Sequence, residues 1–372
     1  MTKILIKNMK NKKLSARELS FLKETLFLAK KGLGRTSPNP MVGCVIVKND
    51  KIIGKGYHKK YGSSHAEIEA FKNATESTKS ATLYVNLEPC CHFGKTPPCT
   101  DAIIKAGIEK VVCCTLDPNK KMAGKGIEKL KKAGIKVECG FLQEEANELN
   151  EVFFTFHKKR RPFVVLKFAS SLDGKIATAN GDSKWITNEV AREFARKLRG
   201  HYQAILVGAN TVIKDNPHLG AGNNKQKDPL RIILDAKLKI SLNRKVFRDK
   251  NVLILATNQC DKLKKEKFVQ KGIEIYQFPG RKISAKSILQ VLKNKEISSV
   301  FVEGGSAALG TFVDEKLVDR VFVFHAPIII GGVSSIGAIG GRGVKHIKEA
   351  LQFKKPKVIM FEDNIFISAA TK

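Results

Sequence analysis

The stretches HAEIEAFKNA (residues 65–74) and ATLYVNLEPCCHFGKTPPCTDAIIKA (81–106) decide how the first half of this 372-residue chain folds. The first reads as a short helix opened by His65-Ala66-Glu67. The second reads as a strand, a turn rich in Cys and Pro, and a helix over Ala102, Ile103, Ile104 and Ala106, led into by Pro97-Pro98-Cys99-Thr100. His65, Cys90 and Cys99 then form a three-ligand set for zinc. Three protein ligands leave a fourth position for water, whose pKa the ion lowers enough to give a nucleophile at neutral pH. Glu67, two residues from His65, is a carboxylate beside the metal that is not itself a ligand, which suits it to proton transfer.

A nucleophile and a proton shuttle are what replacing an exocyclic amine on a heteroaromatic ring demands, and zinc deaminases place this His and Cys pair at the starts of two helices. A lone His-x-Glu carries little, and a single Cys is usually a core thiol. The combination is far more specific. Cys44, Cys113, Cys114, Cys139 and Cys260 lie in or beside apolar runs and read as core, while Cys91 adjoins a ligand and could compete for metal or oxidise. Eight residues separate Cys90 from Cys99, whereas nucleic-acid and free-base deaminases usually leave two.

Outward from this site, Ser15-Ala16-Arg17-Glu18 reads as a capping box, with Leu19, Leu22, Leu26 and Ala29 on one helical face before Gly32 and Gly34. Strands GCVIVKN and KIIGKGYH join through Asn49-Asp50. Helix 65–73, strand 81–86, helix 100–106, strand 109–115, helix 124–133 and strand 135–139 follow, which implies a three-layer α/β/α domain. FHKKRRP (156–162) marks a linker, so the expected domains are 1–157 and 158–372. Strand-like runs at 163–169, 203–207, 230–234, 251–256, 273–277, 299–302 and 321–330, mostly with helix-length spacers, imply a mainly parallel sheet in the second.

No apolar run approaches the ~20 residues that span a bilayer, and the N-terminus lacks a signal-peptide core, so a cytoplasmic protein with reduced thiols is expected. The net charge of +32 raises the question of nucleic acid. Basic residues outnumber acidic ones in both halves, 27 to 16 in 1–157 and 40 to 19 in 158–372, and lack interleaved aromatics, which favours solvated surface and attraction of small phosphate-bearing ligands.

SPNPMVGCVIV (37–47), HAEIEA (65–70), EPCCHFGKTPPC (88–99), LDPNKKMAGKGIEKLKKAGIKV (116–137), LKFASSLDGKIA (166–177) and EGGSAALGTF (303–312) together resemble the bifunctional deaminase-reductases of riboflavin biosynthesis, in family order over nearly the whole chain. The resemblance implies a cytidine-deaminase-like domain followed by a dihydrofolate-reductase-like α/β domain, with one zinc ion and NADPH as cofactors. It implies a small phosphorylated pyrimidine as substrate and carries over the family's frequent self-association. Asn39 matches the substrate-pocket Asn, though beside two prolines it also reads as a turn residue. Cofactor-facing positions would be Ala169, Trp185, Thr211, Asp215, Gly305, Ser306, Ala307, Ala308, Leu309, Gly310 and Thr311. Ser183, Arg199, Leu219 and Glu303 would face substrate.

Some of these residues also speak for themselves. Glu303-Gly304-Gly305-Ser306 after the strand-like VFVEG puts glycines where a cofactor phosphate could approach backbone, although no G-x-G-x-x-G follows a first strand. Lys167 lies within a strand, where its burial needs a charged partner or substrate, and is a candidate for stabilising an opened sugar. One departure from the family stands out: after DNPHL the usual Thr, apolar residue and Arg are replaced by Gly220-Ala221-Gly222-Asn223-Asn224, which would shift phosphate contact to Arg199, Lys225 or Arg231. Two rivals make distinct predictions. A polynucleotide deaminase would act on adenosine or cytidine within RNA, and a non-catalytic basic binding protein would need neither zinc nor Glu67.

Overall fold

The computed structural model describes residues 13–94, 96–120, 122–222 and 228–372. The chain divides into two compact units, Met1–Arg160 and Arg161–Lys372. The division lies three residues beyond the expected boundary because a helix, Glu151–Lys158, runs on through His157.

In the first unit, helix α1 (Ala16–Lys30) opens on the capping box: Glu18 N–H donates to Ser15 Oγ at 3.1 Å and Ser15 N–H to the Glu18 carboxylate at 3.0 Å. β1 (Gly43–Lys48) and β2 (Lys51–Tyr57) form an antiparallel hairpin. Its Asn49-Asp50 turn has both residues at positive φ, 47° and 60°, a conformation that matches strand twist. Then come α2 (Ala66–Lys72), β3 (Thr82–Val85), α3 (Cys99–Lys105), β4 (Lys110–Cys113), α4 (Lys125–Lys132) and β5 (Lys136–Cys139), closed by α5 (Gln143–Leu149) and α6 (Glu151–Lys158). The strand order is β2-β1-β3-β4-β5, with β1 antiparallel to both neighbours and the other pairs parallel.

Both faces of this sheet are covered, so its strands are apolar on both sides. Cys44, Ile46, Leu83 and Val111 pack with Ala66, Ala70, Ile103 and Leu130 on one face. Val45, Tyr84 and Val112 meet Phe21, Leu22 and Leu28 of α1 on the other. A Cβ at Gly56 of β2 would stand 2.3 Å from the Ala66 carbonyl oxygen, so glycine is what lets β2 lie against the start of α2.

The second unit begins with β6 (Phe163–Ser170), β7 (Lys175–Ala177), α7 (Glu189–Arg199), β8 (Ala204–Gly208), α8 (Ala209–Asp215) and β9 (Leu230–Leu234). It continues through β10 (Val252–Thr257), α9 (Lys262–Gln270), β11 (Glu274–Phe278), α10 (Ala285–Asn294), β12 (Ser299–Glu303), α11 (Ser306–Asp314) and β13 (Arg320–His325). β14 (Ile336–Gly337), β15 (Lys357–Phe361) and β16 (Asn364–Ala370) complete it. Nine strands make one sheet in the order β11-β10-β9-β8-β12-β6-β13-β16-β15, parallel from β11 through β13 and antiparallel beyond.

Two expectations are corrected here. The run 321–330 does not continue as strand past His325: Pro327 cannot donate to a ladder, Gly331 and Gly332 take positive φ, and Ile328 and Ile329 are exposed. Arg231, offered above as a phosphate contact, is fully buried near the N-terminal end of β9, where its guanidinium pairs with Asp249 and donates to the Asn251 carbonyl at 3.2 Å. Buried charges are found paired in this way, which leaves Arg231 no access to ligand. Asn223, Asn224 and Lys225 lie outside the described residues.

Candidate active sites

In the first unit, His65 is the residue preceding α2 and Cys99 opens α3, while Cys90 lies on the irregular stretch after β3. Folding brings them together. The ligating atoms all lie within 4.8 Å of one another, with His65 Nδ1 at 3.2 Å from Cys99 Sγ and 3.4 Å from Cys90 Sγ. A tetrahedral zinc site with ordinary bond lengths separates nitrogen from sulfur by ~3.5 Å, so this donor set fits the ion. Nδ1 faces both sulfurs, and the outer nitrogen, Nε2, meets Thr96 Oγ1 at 3.3 Å, the kind of partner that fixes ring orientation in metal-binding histidines.

The thiols titrate as a pair. Hydrogen bonds from the Cys99 side chain, and then from His65 and the Cys99 N–H, hold Cys90 down to about 4 against the effect of burial, while Cys99 is pushed up by its bond to Cys90 and by burial. Glu67 is buried, and its carboxyl is raised chiefly by that burial and secondarily by the Cys90 charge. A carboxyl raised in this way holds a proton more readily than an ordinary glutamate, which suits it to proton transfer.

Asn39 also comes to this side of the unit: its Nδ2 lies 3.3 Å from His58 Nε2, and the His58 ring stands edge-on to His65 with centroids 5.5 Å apart. The sequence reading missed His58, the residue just after β2, whose only signal was a polar side chain closing an apolar strand. It also missed Asn86 and Asn150, which both bond the backbone of Met41 and so hold the Asn39 loop. Cys44, Cys113, Cys114, Cys139 and Cys260 are buried, and Cys91 is half-buried outside the ligand cluster.

In the second unit, the site residues gather at the C-terminal ends of neighbouring parallel strands, where ligands bind in open α/β sheets. Lys167 of β6 and Glu303 of β12 are register partners, with Nζ 3.0 Å from Glu303 Oε1. Arg199, the last residue of α7, reaches the same carboxylate through Nε (2.7 Å) and Nη2 (3.0 Å) and donates from Nη1 to the Gly220 carbonyl (3.2 Å). Burial alone would raise the Glu303 carboxyl, but the Arg199 and Lys167 charges outweigh it and hold it well below the usual carboxylate range. Leu219 is buried at φ 63°, next to the carbonyl that Arg199 grips.

Beside this cluster, Gly304 and Gly305 turn at φ 78° and 58°, and a Cβ on either would stand 3.4–3.5 Å from Thr211 Oγ1 of α8. The turn thus leaves bare backbone between the first turns of α8 and α11, a cradle suited to a cofactor phosphate. At the start of α11 Ser306 is half-buried and Ala307 exposed, whereas Ala308, Leu309 and Gly310 are buried, against the expectation that they face cofactor, and the Thr311 hydroxyl donates to the Ala307 carbonyl. Asp215 at the end of α8 meets Lys184 at 3.4 Å, which ties the loop carrying Ser183 and Trp185 to that helix. Trp185 is 68% exposed, with the Arg192 guanidinium over one face at 4.3 Å. Ala169 lies near the end of β6, paired in register with Phe324.

Comparison with known proteins identifies both units. Residues 16–115 match the cytidine and deoxycytidylate deaminase zinc-binding region, and residues 162–364 match the RibD C-terminal domain. The chain is 48% identical to the riboflavin biosynthesis protein RibD of Aquifex aeolicus over 94% of this chain and 97% of that one. It is 40% identical to RibD of Actinobacillus pleuropneumoniae over 94% of each. Among solved structures, Acinetobacter baumannii RibD matches with a TM-score of 0.86 at 35% identity, covering 96% of this chain and 99% of that one. A diaminohydroxyphosphoribosylaminopyrimidine deaminase/5-amino-6-(5-phosphoribosylamino)uracil reductase from Thermotoga maritima matches at 0.83 and 39% identity, with the same coverage. The first unit has the cytidine-deaminase-like fold and the second the dihydrofolate-reductase-like fold. No helix among the described residues is long and apolar enough to cross a membrane. With zinc chemistry in its first unit and a reductase fold in its second, the chain belongs to the RibD family of bifunctional deaminase-reductases.

Proposed function

We propose that the first unit hydrolytically deaminates 2,5-diamino-6-(5-phosphoribosylamino)pyrimidin-4-one, with His65, Cys90 and Cys99 holding zinc and Glu67 moving the proton. The second unit then reduces the ribosyl chain of 5-amino-6-(5-phosphoribosylamino)uracil to ribityl. The observation that carries this reading is the convergence of His65 Nδ1 and the two sulfurs around a common centre, with the buried Glu67 carboxyl two residues from His65.

Zinc, when bound, lowers the pKa of water and supplies the nucleophile. Glu67 would take the first proton of that water and give it to the ring nitrogen, then take the proton of the hydroxyl newly added to the ring carbon and pass it to the amine, which leaves as ammonia as the carbonyl forms. Asn39, beside His58, orients the pyrimidine. In the second unit NADPH supplies the hydride, received at the sugar carbon attached to the ring amine. The Lys167 ammonium, aligned by Glu303 and held over the Phe324 ring at 5.5 Å, stabilises the opened sugar. Arg199 holds Glu303 in place. Gly305 and Thr211 would hold the cofactor phosphate, and Trp185, with Arg192 over one face, would contact the cofactor. A small phosphorylated pyrimidine is the substrate class that both units share.

Chelation separates the two halves. Removing zinc should abolish ammonia release from the diaminopyrimidine ribotide while NADPH oxidation with the aminouracil ribotide continues. Ammonia release persisting at its original rate in demonstrably zinc-free protein would contradict the zinc assignment.

A further inference from the structure

Two of the three zinc ligands are placed by helices, His65 ahead of α2 and Cys99 at the start of α3. Cys90 is placed by neither helix nor strand. Ligands have to be held within ~0.5 Å of their working geometry, so a thiolate on irregular backbone needs another constraint. One is local: the Thr100 N–H donates to the Cys90 carbonyl at 3.1 Å and ties it to α3.

The second is a side chain that the deamination chemistry does not use. Glu88, two residues before Cys90, is buried. Its Oε2 accepts the N–H groups of Asp117 (3.1 Å) and Gly124 (2.9 Å), and its Oε1 accepts those of Gly126 (2.9 Å) and Ile127 (3.3 Å). A carboxylate has about four acceptor sites, so these four bonds fill it. All four donors come from the connection between β4 and α4 and from the first turn of α4. The Glu88 N–H adds a bond to the Thr115 carbonyl at 3.0 Å. The approach is close: a Cβ at Gly126 would stand 2.1 Å from the Pro89 carbonyl oxygen.

We propose that Glu88 is a positioning residue of the deaminase site: it clamps the peptide leading to Cys90 onto the segment between β4 and α4 and so fixes, together with the bonds from the start of α3, the one zinc ligand that no helix carries. The proposal rests on the zinc reading of His65, Cys90 and Cys99. Gln at this position has the same length but a single acceptor oxygen, so two of the four N–H groups would face an NH2 group.

The test uses the full-length Glu88→Gln variant in a zinc competition against a chromogenic chelator, with ammonia release measured at saturating zinc and NADPH-dependent reduction measured alongside. Zinc affinity should fall about 10–100-fold, the range seen when a metal ligand loses its outer partner. Saturating zinc should restore most of the deamination, and reduction should be unchanged. A variant that holds zinc as tightly as the wild type, when the wild type binds stoichiometrically, overturns the role of Glu88 alone. A wild type that binds no zinc overturns the underlying reading instead. If the variant does not fold, amide hydrogen exchange in the wild type decides. Coupling is reciprocal, so chelating zinc should speed exchange at Asp117, Gly124, Gly126 and Ile127 together, and exchange indifferent to zinc overturns the proposal.

Discussion

Lys167 and Glu303 stand opposite each other on adjacent parallel strands, with their charged atoms 3.0 Å apart and both side chains about one-eighth exposed. Arg199 completes a cluster of two cations on one carboxylate. Removing the partner of a buried charge costs about 3–5 kcal/mol, because the remaining charge stays desolvated. Glu303→Gln should therefore lower the unfolding free energy of the second unit by an amount of that order, read from the shift in its denaturant midpoint, and abolish NADPH oxidation, with ammonia release by the first unit unaffected. Unchanged stability and reduction would show that the cluster serves neither fold nor site.

The same cluster sets an acid limit. Glu303 is held below the usual carboxylate range, whereas in the unfolded chain it protonates near ~4.3. Its contribution to stability is present in full above that value. As pH falls below it the unfolded state binds the proton first, so the contribution is lost progressively toward the lower folded pKa. Unfolding of the second unit followed against pH should show this acid-side slope, and Glu303→Gln should flatten it.

Glu67→Gln keeps the length of the side chain and removes its capacity to shuttle a proton. Deamination should fall by about 10²–10⁴-fold, the usual contribution of a positioned acid-base group. Bound zinc, measured by metal analysis, and NADPH-dependent reduction should both stay at wild-type levels. A variant that deaminates normally would remove Glu67 from the mechanism.

At Gly305 the backbone is at φ 58° and ψ 107°, where a side chain is strained and would project toward Thr211. Gly305→Val should raise the KM for NADPH at least severalfold while ammonia release is unaffected, as titration of initial reduction rates against cofactor would show. An unchanged KM would separate this turn from the cofactor.

The His65, Cys90 and Cys99 cluster was legible because its chemistry is concentrated in short spacings: His65 and Glu67 belong to one helix start, Cys99 opens another, and Cys90 lies nine residues ahead of it. The β1/β2 hairpin was legible for a similar reason, since Asn49-Asp50 takes the left-handed turn that those residue types favour. The ion cluster of the second unit was less so. Lys167 announced a need for a partner, but its partner lies 136 residues away and is brought to it by strand order rather than by local pattern. Glu88 was invisible as a clamp, because the backbone N–H donors it gathers leave no mark on sequence. The pairing of β15 with β16 also escaped notice. β15 is an edge strand with Val358, Ile359 and Met360 all exposed, so burial does not impose a two-residue alternation on it. Arg231 misled because it follows the altered loop closely in sequence, yet it stands at the start of the interior strand β9 rather than at the strand ends where the site forms.

Mass spectrometry of the diaminopyrimidine ribotide incubated with zinc-loaded protein, once without and once with NADPH, tests the central claim most directly. The account predicts exchange of one amine for oxygen in both reactions, and two further hydrogens only where NADPH is present. Exchange without reduction would confine the activity to the first unit and implicate the altered loop after Leu219, while an unchanged ribotide in both reactions would contradict the account.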